Sequence, residues 1–198
     1  MKKITLILMC ILLIACGQKT NETSSQSETT PSQEKIMVEM SVQDYGTMEI
    51  ELDPSIAPIS VENFVNLVKE GFYDGSKYHR IIDGFMIQGG APKDEASYAK
   101  LKTIKGEFSA NGIENPLKHA TGVISMARAK DMDSASSQFF ICVADAPHLD
   151  GMYAAFGKVT KGIEIALQIA KDAKPIDHNG RILEEEMPII EYIKVIES

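Results

Sequence analysis

Residues 78–90 read YHRIIDGFMIQGG, a stretch that sets one arginine among apolar side chains and closes on paired glycines. Two short apolar runs, residues 78–82 and 85–88, flank an Asp-Gly pair, and this spacing predicts two strands joined by a turn. Arg80 keeps its charge at any ordinary pH. The pattern therefore raises the question of what a permanent charge does beside apolar neighbours.

Strand patterns extend on both sides of this stretch. Residues 36–43 (IMVEMSVQ) and 46–52 (GTMEIEL) alternate apolar with polar side chains, which is typical of a half-buried hairpin. A final alternating segment, MPIIEYIKVIE at residues 187–197, is expected to pair with these amino-terminal strands. Three more apolar runs bounded by turn residues predict strands at residues 122–127, 138–143 and 154–159.

Two segments show the apolar spacing of amphipathic helices. The first is expected to begin near Ser60, as its N-cap, and to end at Gly71. Many strands with only two helices favour a mainly β fold, a closed antiparallel barrel with helices over its ends, because closure removes exposed strand edges. The apolar positions are Val61, Phe64, Val65 and Val68 in the first helix, and Ile163, Ala166, Leu167 and Ala170 in the second.

The amino-terminal segment carries a targeting pattern. Two lysines precede an apolar run at residues 4–15, which is too short for an ordinary transmembrane helix, so residues 1–15 are predicted to be a signal peptide. The run ends in LIAC, which resembles the bacterial lipoprotein signal and predicts that Cys16 is lipidated. An ordinary secretory signal that happens to contain a cysteine is the alternative.

The segment after Cys16 has no means of forming a core. Residues 18–35 contain no aliphatic or aromatic side chain, so residues 16–35 are predicted to be a flexible polar tether. Residues 36–198 have the length of one ordinary domain. These boundaries predict a domain held by lipid on the extracytoplasmic face of the cell membrane, either on the outer surface or in a periplasm.

Composition argues against several classes of function. A formal net charge of −8 disfavours nucleic-acid binding. Cys142 is the one cysteine of the predicted domain, and its apolar surroundings, QFFICVAD, favour a buried structural thiol over a nucleophile. No metal site is expected, because the four histidines lack the spacing of a ligand set. They are His79, His119, His148 and His178.

Four longer motifs carry a family resemblance. The chain contains, in this order, VENFVNLVKEGFYDGSKYHRIIDGFMIQGG, GVISMARA, SSQFFICVADAPHLDG and AAFGKV. This series resembles the cyclophilins, which are peptidyl-prolyl cis-trans isomerases, from about residue 38 to residue 196. The resemblance implies an eight-stranded closed β-barrel with two capping α-helices, isomerase activity without a cofactor or metal, and proline-containing peptides as partners.

The same resemblance implies a set of site residues. Arg80 would be the catalytic arginine, with Phe85 and Gln88 beside it. Arg128 replaces the family's usual asparagine, an exchange expected to be tolerated because the family's contact there is largely main-chain. His148 replaces tryptophan and Tyr153 replaces histidine, so cyclosporin binding is expected to be weak. The implied substrate-binding residues are Met86, Ala127, Arg128, Phe140, His148, Leu149 and Tyr153.

The chemistry of the X-Pro bond explains why these residue types belong together. Amide resonance sets a rotational barrier of about 18–20 kcal/mol, and resonance is lost in the twisted state. A guanidinium can donate to the proline nitrogen that regains its lone pair, and apolar walls strengthen this hydrogen bond by excluding water. Without the resemblance, the apolar residues could be ordinary core, and Arg80 could be a surface arginine paired with Asp83.

Two classes of function fit the chain. The first is an isomerase that assists the folding of secreted or surface proteins outside the cytoplasm. The second is a proline-peptide binding module or holdase chaperone that does not need turnover. A lipoprotein that delivers small solutes is disfavoured, because one short domain lacks the two lobes expected. The domain is expected to be monomeric, with unfolded or folding extracytoplasmic proteins as its partners.

Overall fold

The computed structural model describes residues 34–196, which contain nine strands and three α-helices. The predicted signal peptide, Cys16 and most of the predicted tether lie outside the described residues. No helix in the described part is long and apolar enough to span a membrane. The strands are β1 (Ile36–Val42), β2 (Gly46–Leu52), β3 (Ser76–Lys77), β4 (Arg80–Ile82), β5 (Met86–Gly89), β6 (Val123–Met126), β7 (Phe139–Cys142), β8 (Ala155–Lys161) and β9 (Ile189–Ile196). The helices are α1 (Pro58–Lys69), α2 (Glu95–Lys100) and α3 (Ile163–Asp172).

All strands join one antiparallel sheet in the order β3-β9-β1-β2-β8-β6-β7-β5-β4. The predicted hairpin is confirmed, since β1 pairs with β2 in a register that sets Val38 opposite Ile50 and Met40 opposite Met48. These four side chains are fully buried, as their alternation with polar residues predicts. The predicted pairing of the last strand with the first is also confirmed, by the ladder between β9 and β1.

The prediction of a closed eight-stranded barrel is wrong in its detail. The sheet has nine strands in an open order, with β3 and β4 as its two ends, so it forms a curled half-barrel. The cause lies in the run at residues 78–82, which the sequence predicts to be one strand. Tyr78 donates from its amide to Pro188 while His79 donates to Gln88, so the chain changes partner between these two residues. The two short strands on either side therefore pair with β9 and β5 separately.

The two predicted helices are present, but the first begins differently from its prediction. Helix α1 starts at Pro58, and Ser60 lies inside it instead of capping it. The buried carboxylate of Glu107 accepts hydrogen bonds from the amides of Ile59 (2.9 Å) and Ser60 (2.8 Å). The free amides at this helix end are thus satisfied by a negative charge from a distant loop. Helix α2 was not predicted and lies in the loop after β5, where Asp94 and Ser97 form a capping box.

An aromatic cluster fills the inside of the curled sheet. The ring of Phe64, from α1, lies 5.0 Å from that of Tyr73, 5.5 Å from that of Phe139 and 5.3 Å from that of Phe156. Because side chains alternate along β7, Phe139 points into this cluster while Phe140 leaves it and joins a separate small apolar group. The core thus fixes the strand that presents Phe140 on the outer face.

Candidate active site

The candidate site is built on a row of residues that crosses four neighbouring strands. Arg80 of β4 pairs with Gln88 of β5, Gln88 pairs with Phe140 of β7, and Phe140 pairs with Ser125 of β6. Directly opposed residues of an antiparallel sheet share one face. The register alone therefore brings Arg80, Gln88 and Phe140 together, although 60 positions of sequence separate the first from the last.

The guanidinium of Arg80 is held in place by three neighbours. Its Nη1 donates to Oε1 of Gln88 (3.1 Å) and lies 3.6 Å from the sulfur of Met86, and its Nε donates to the carbonyl oxygen of Asn179 (2.7 Å). Gln88 is fixed in turn, because its amide nitrogen donates to Oε1 of Gln138 at 3.0 Å. Within residues 34–196, Nη2 has no hydrogen-bond partner. The arginine is thus positioned with one donor group free.

A cavity of about 140 Å³, here called the Arg80 pocket, adjoins this guanidinium. Its volume suits a small ring, since a larger organic ligand needs about 300 Å³ or more. Nine of the ten site residues expected from the sequence line it. They are Arg80, Phe85, Met86, Gln88, Ala127, Arg128, Phe140, Leu149 and Tyr153. The tenth, His148, lies just behind this lining, with its ring 5.3 Å from that of Phe85.

Phe140, the apolar floor of the pocket, is backed by a buried polar network. The imidazole of His119 stacks on the Phe140 ring, with centroids 6.0 Å apart and planes inclined by 16°. The two nitrogens of this imidazole contact the carboxylate of Asp150 and the hydroxyl of Ser125, each at 3.1 Å. Tyr153 also contacts Phe140, with ring centroids 5.8 Å apart and planes inclined by 86°. The floor therefore packs against two other rings.

Burial governs the charge state of this network. It lowers the pKa of His119 below its ordinary value, against the opposing effect of the Asp150 carboxylate. Burial would raise the pKa of Asp150, but hydrogen bonds from the His119 amide and ring hold that pKa below its usual range. A neutral imidazole beside a carboxylate donates from Nδ1 and accepts at Nε2, so the Ser125 hydroxyl donates to it. The orientation of the ring follows from these two contacts.

Arg128 forms one wall of the pocket in a way that the sequence did not predict. Its Nε and Nη2 donate to the carbonyl oxygen of Met152, at 3.1 Å and 2.9 Å, and its Nη1 donates to that of Ala129 at 3.0 Å. The guanidinium carbon lies 4.6 Å from the centre of the Tyr153 ring and 5.1 Å from that of Phe108, within cation-π range. The longer side chain is thus folded against aromatic surface, and its donors are taken up by two backbone carbonyls.

The pocket continues into a second cavity of about 270 Å³, which shares Gln88, Ala127 and Arg128 with it. Polar groups dominate the additional lining, which consists of Ala129, Ser134, Ser136 and Gln138. The two cavities together form a groove with an apolar end and a polar end. An extended peptide could place a proline ring in the first part and neighbouring residues in the second.

The structure also reports on residues whose roles the sequence left open. Burial raises the pKa of the Cys142 thiol to about 12, so the thiol stays protonated and is structural, as predicted. Four residues that support the site were not predicted from the sequence: Gln138, Asn179, His119 and Asp150. The sequence analysis names His119 only among the histidines that lack the spacing of a metal site.

Comparison with known proteins identifies the family of this chain. The family described as cyclophilin type peptidyl-prolyl cis-trans isomerase/CLD matches residues 37–194. The chain belongs to the cyclophilin family. It is accordingly a peptidyl-prolyl cis-trans isomerase, and the resemblance seen in the sequence motifs is confirmed.

Bacterial cyclophilins are among the relatives. The chain is 47% identical over 132 residues to peptidyl-prolyl cis-trans isomerase A of Dickeya dadantii, covering 64% of this chain and 67% of that protein. It is 41% identical over 144 residues to peptidyl-prolyl cis-trans isomerase B of Bacillus subtilis, covering 73% and 92%. A crystal structure of a Cryptosporidium parvum cyclophilin in the presence of the dipeptide Ala-Pro matches with a TM-score of 0.66 and 29% identity, covering 82% of this chain and 99% of that one.

Proposed function

We propose that this cyclophilin isomerises X-Pro bonds in secreted or surface proteins outside the cytoplasm, where lipid on Cys16 holds it to the membrane. The isomerase activity belongs to the family. The location rests on the signal-like residues 1–15, the LIAC sequence and the polar residues that follow it. Two or more acyl chains on one cysteine give stable anchoring, whereas a single chain binds membranes only marginally.

One observation carries the catalytic part of the proposal: a fixed guanidinium borders a cavity of proline-ring size. A proline ring in the Arg80 pocket would contact Phe140 and Met86, and would bring its nitrogen toward the guanidinium. As the amide twists, that nitrogen regains its lone pair and accepts a hydrogen bond from Nη2. The bond is made only in the twisted state, so it lowers the barrier without tightening ground-state binding.

Preorganisation makes this hydrogen bond effective. Gln88 and the Asn179 carbonyl already fix the guanidinium, so little reorganisation is needed when the amide twists. The apolar floor keeps water away from the new bond, which raises its strength. Each tenfold gain in rate requires about 1.4 kcal/mol, so one such contact accounts for a large share of the acceleration.

The remaining expectations belong to the same proposal. The polar part of the groove would receive the residues next to proline in unfolded client chains. Tyr153 gives the Arg80 pocket a polar edge where the best-known members have histidine, and His148 lies beside Phe85 where they have tryptophan. We therefore expect weak cyclosporin binding and retained activity. The protein would act as a monomer.

The location is tested in the organism that makes the protein. Membrane and soluble fractions of cells with the intact chain are compared with those of cells with Cys16→Ser, and the exposed face is probed by protease treatment of intact cells or spheroplasts. We expect the intact chain in the membrane fraction and cleavable from outside. A Cys16→Ser chain that stays in the membrane fraction to the same extent would contradict lipid anchoring.

The folding role is tested with a client whose slow refolding phase is prolyl isomerisation. We expect catalytic amounts of the intact protein to shorten this phase, and the Arg80→Ala variant to have little effect. A holdase would instead need stoichiometric amounts and would tolerate Arg80→Ala. That outcome would replace turnover with binding as the biological role.

A further inference from the structure

A larger cavity lies outside the catalytic groove. It measures about 290 Å³, twice the volume of the Arg80 pocket, and none of the site residues expected from the sequence lines it. We call it the His79 cavity. Its walls come from three places: β3 with the turn before it, the loop that follows β5, and the short 3-10 helix Glu184–Glu186 before β9.

Two unsatisfied polar atoms point to a missing partner in this cavity. In the described part of the chain, the buried side-chain nitrogens and oxygens without a hydrogen-bond partner are Oγ of Ser76 and Nδ1 of His79. Both residues line the His79 cavity, and Ser76 is only 1% exposed. Buried polar groups are nearly always paired, because leaving one unpaired costs its full desolvation penalty. Both atoms belong to residues of the cavity wall, so an occupant that reaches them would satisfy both.

The rim of the cavity is rich in positive charge. Lys77 and Lys93 both line it, in a chain whose net charge is −8. The ammonium of Lys77 lies 3.3 Å from the carboxylate of Glu184, whose side chain is 82% exposed, and that of Lys93 donates to the carbonyl oxygen of Asp74 at 2.7 Å. An exposed ion pair of this kind is weakly held, so Lys77 can exchange its partner for another carboxylate.

We infer that the His79 cavity binds a carboxylate on a short aliphatic stem, such as an acidic side chain of a client protein or a small free carboxylic acid. A carboxylate accepts about four hydrogen bonds, and the hydroxyl of Ser76, the Nδ1–H of His79 and the two ammonium groups supply that number of donors. The apolar walls at Ala91, Pro92 and Met187 suit the stem.

The cavity is larger than a single bound water. A water molecule has a share of about 30 Å³ in the liquid, so the cavity has room for several waters or for a group of a few heavy atoms. Burial lowers the pKa of His79, against the opposing effects of the Lys77 carbonyl and the Gln138 side chain near its ring, and so keeps the imidazole neutral when no anion is present. The charges around the ring are Lys77, Lys93, Arg80 and Glu184, and a bound carboxylate would add a negative charge that favours the imidazolium.

The inference is tested by NMR titration of the intact protein in detergent. The probes are butyrate, the neutral control butyramide, and two proline-free peptides, acetyl-Gly-Glu-Gly-amide and its Gln counterpart. We expect saturable shifts of the His79 ring nitrogens and a raised His79 pKa with butyrate and the Glu peptide, but not with their neutral counterparts. If butyrate acts and the Glu peptide does not, the cavity takes free acids; if both act, it takes client side chains as well.

Variants then assign the donors. Ser76→Ala and Lys93→Ala are each expected to weaken butyrate binding by about tenfold, because each removes one hydrogen bond to a charged group. Isomerase activity on a peptide without acidic residues should stay unchanged in both. Equal shifts from butyrate and butyramide, or no saturable shift, would mean that the cavity binds no carboxylate. Unweakened binding in both variants would mean that butyrate binds elsewhere, and either result would overturn the inference. The isomerase assignment would stand in any of these cases, since it rests on other residues.

Discussion

The consecutive residues His79 and Arg80 line two cavities that differ in the state of their polar groups. In the Arg80 pocket the guanidinium and the Gln88 amide are hydrogen-bonded to other side chains and to a carbonyl. In the His79 cavity, Ser76 and His79 each leave a buried polar atom unpaired. The first arrangement is fixed before any substrate arrives, while the second lacks its partner.

This difference in hydrogen bonding indicates which function each cavity can perform. Catalysis of bond rotation needs a donor that is already oriented, because reorganisation during the reaction would raise the barrier. Ligand binding can instead use groups whose hydrogen bonds are completed by the ligand itself. The Arg80 pocket, whose polar groups are nearly all hydrogen-bonded, is therefore suited to catalysis. The His79 cavity, with unpaired polar atoms and weakly held lysines, is suited to binding an anion.

The largest effect is expected when the guanidinium is replaced and its charge is kept. Arg80→Lys removes the planar fork, so the hydrogen bonds to Gln88 and Asn179 cannot both be kept while a donor faces the substrate. We expect kcat/KM for a proline peptide to fall by about 100-fold, within the range seen when one transition-state donor is removed. A loss of less than threefold would show that charge alone suffices and would remove the need for a fixed fork.

A smaller loss is expected when the arginine is kept and its support is removed. Gln88→Met preserves the length of the side chain but not the amide, so Nη1 of Arg80 loses its 3.1 Å contact. We expect kcat/KM to fall by about tenfold, the equivalent of one hydrogen bond. Lys93→Ala, in the other cavity, is the matched control and should retain full activity. Equal activities for the two variants would erase the distinction between the regions.

The same substitution in the two regions should affect stability differently. The hydroxyl of Ser125 is bonded to His119, and Ser125→Ala leaves a buried imidazole nitrogen unpaired, at a cost of about 1–3 kcal/mol. Ser76→Ala removes a hydroxyl that has no partner, so the free energy of unfolding should change by less than about 0.5 kcal/mol or increase. Urea unfolding without added carboxylates measures both. A Ser76→Ala variant as destabilised as Ser125→Ala would show that its hydroxyl is already satisfied.

The smallest effect concerns pH. Burial lowers the pKa of both His79 and His119, so the unfolded chain binds more protons than the folded one near pH 6.5. Their contribution to stability is therefore fully present above the unfolded pKa and is lost as pH falls through the lower folded values. We expect Tm to decline between pH 7.5 and pH 5.5, and less steeply in His119→Gln. A Tm that rises over this interval would contradict the neutral state of these rings.

Local patterns were sufficient to predict much of the fold. The alternation in β1 and β2 and the apolar stripe of α1 specify which faces are buried, because period 2 and period 3.6 are set by backbone geometry alone. The start of α1 was misplaced because Glu107, from a distant loop, satisfies its amides. The sequence predicts a single strand at residues 78–82, because nothing in its side chains reveals that its backbone changes partner.

The candidate site divides in the same way. Family motifs brought nine of the pocket residues together, and the register explains why they meet. The carbonyl of Asn179 could not have been predicted, because a backbone oxygen leaves no mark in the sequence. The network of His119 with Asp150 depends on a contact across 31 positions, so only the tertiary structure shows that a histidine backs Phe140.

The most direct test of the account is exchange NMR on a short X-Pro peptide with the intact protein and its Arg80→Ala variant. The intact protein should accelerate cis-trans exchange well above the uncatalysed rate. Uncatalysed exchange takes about tens to hundreds of seconds. The variant should lose at least about 100-fold of that acceleration. It should stay folded, because Arg80 is only partly buried and belongs to neither apolar cluster. A folded variant that keeps most of the acceleration would contradict the claim that this guanidinium stabilises the twisted bond.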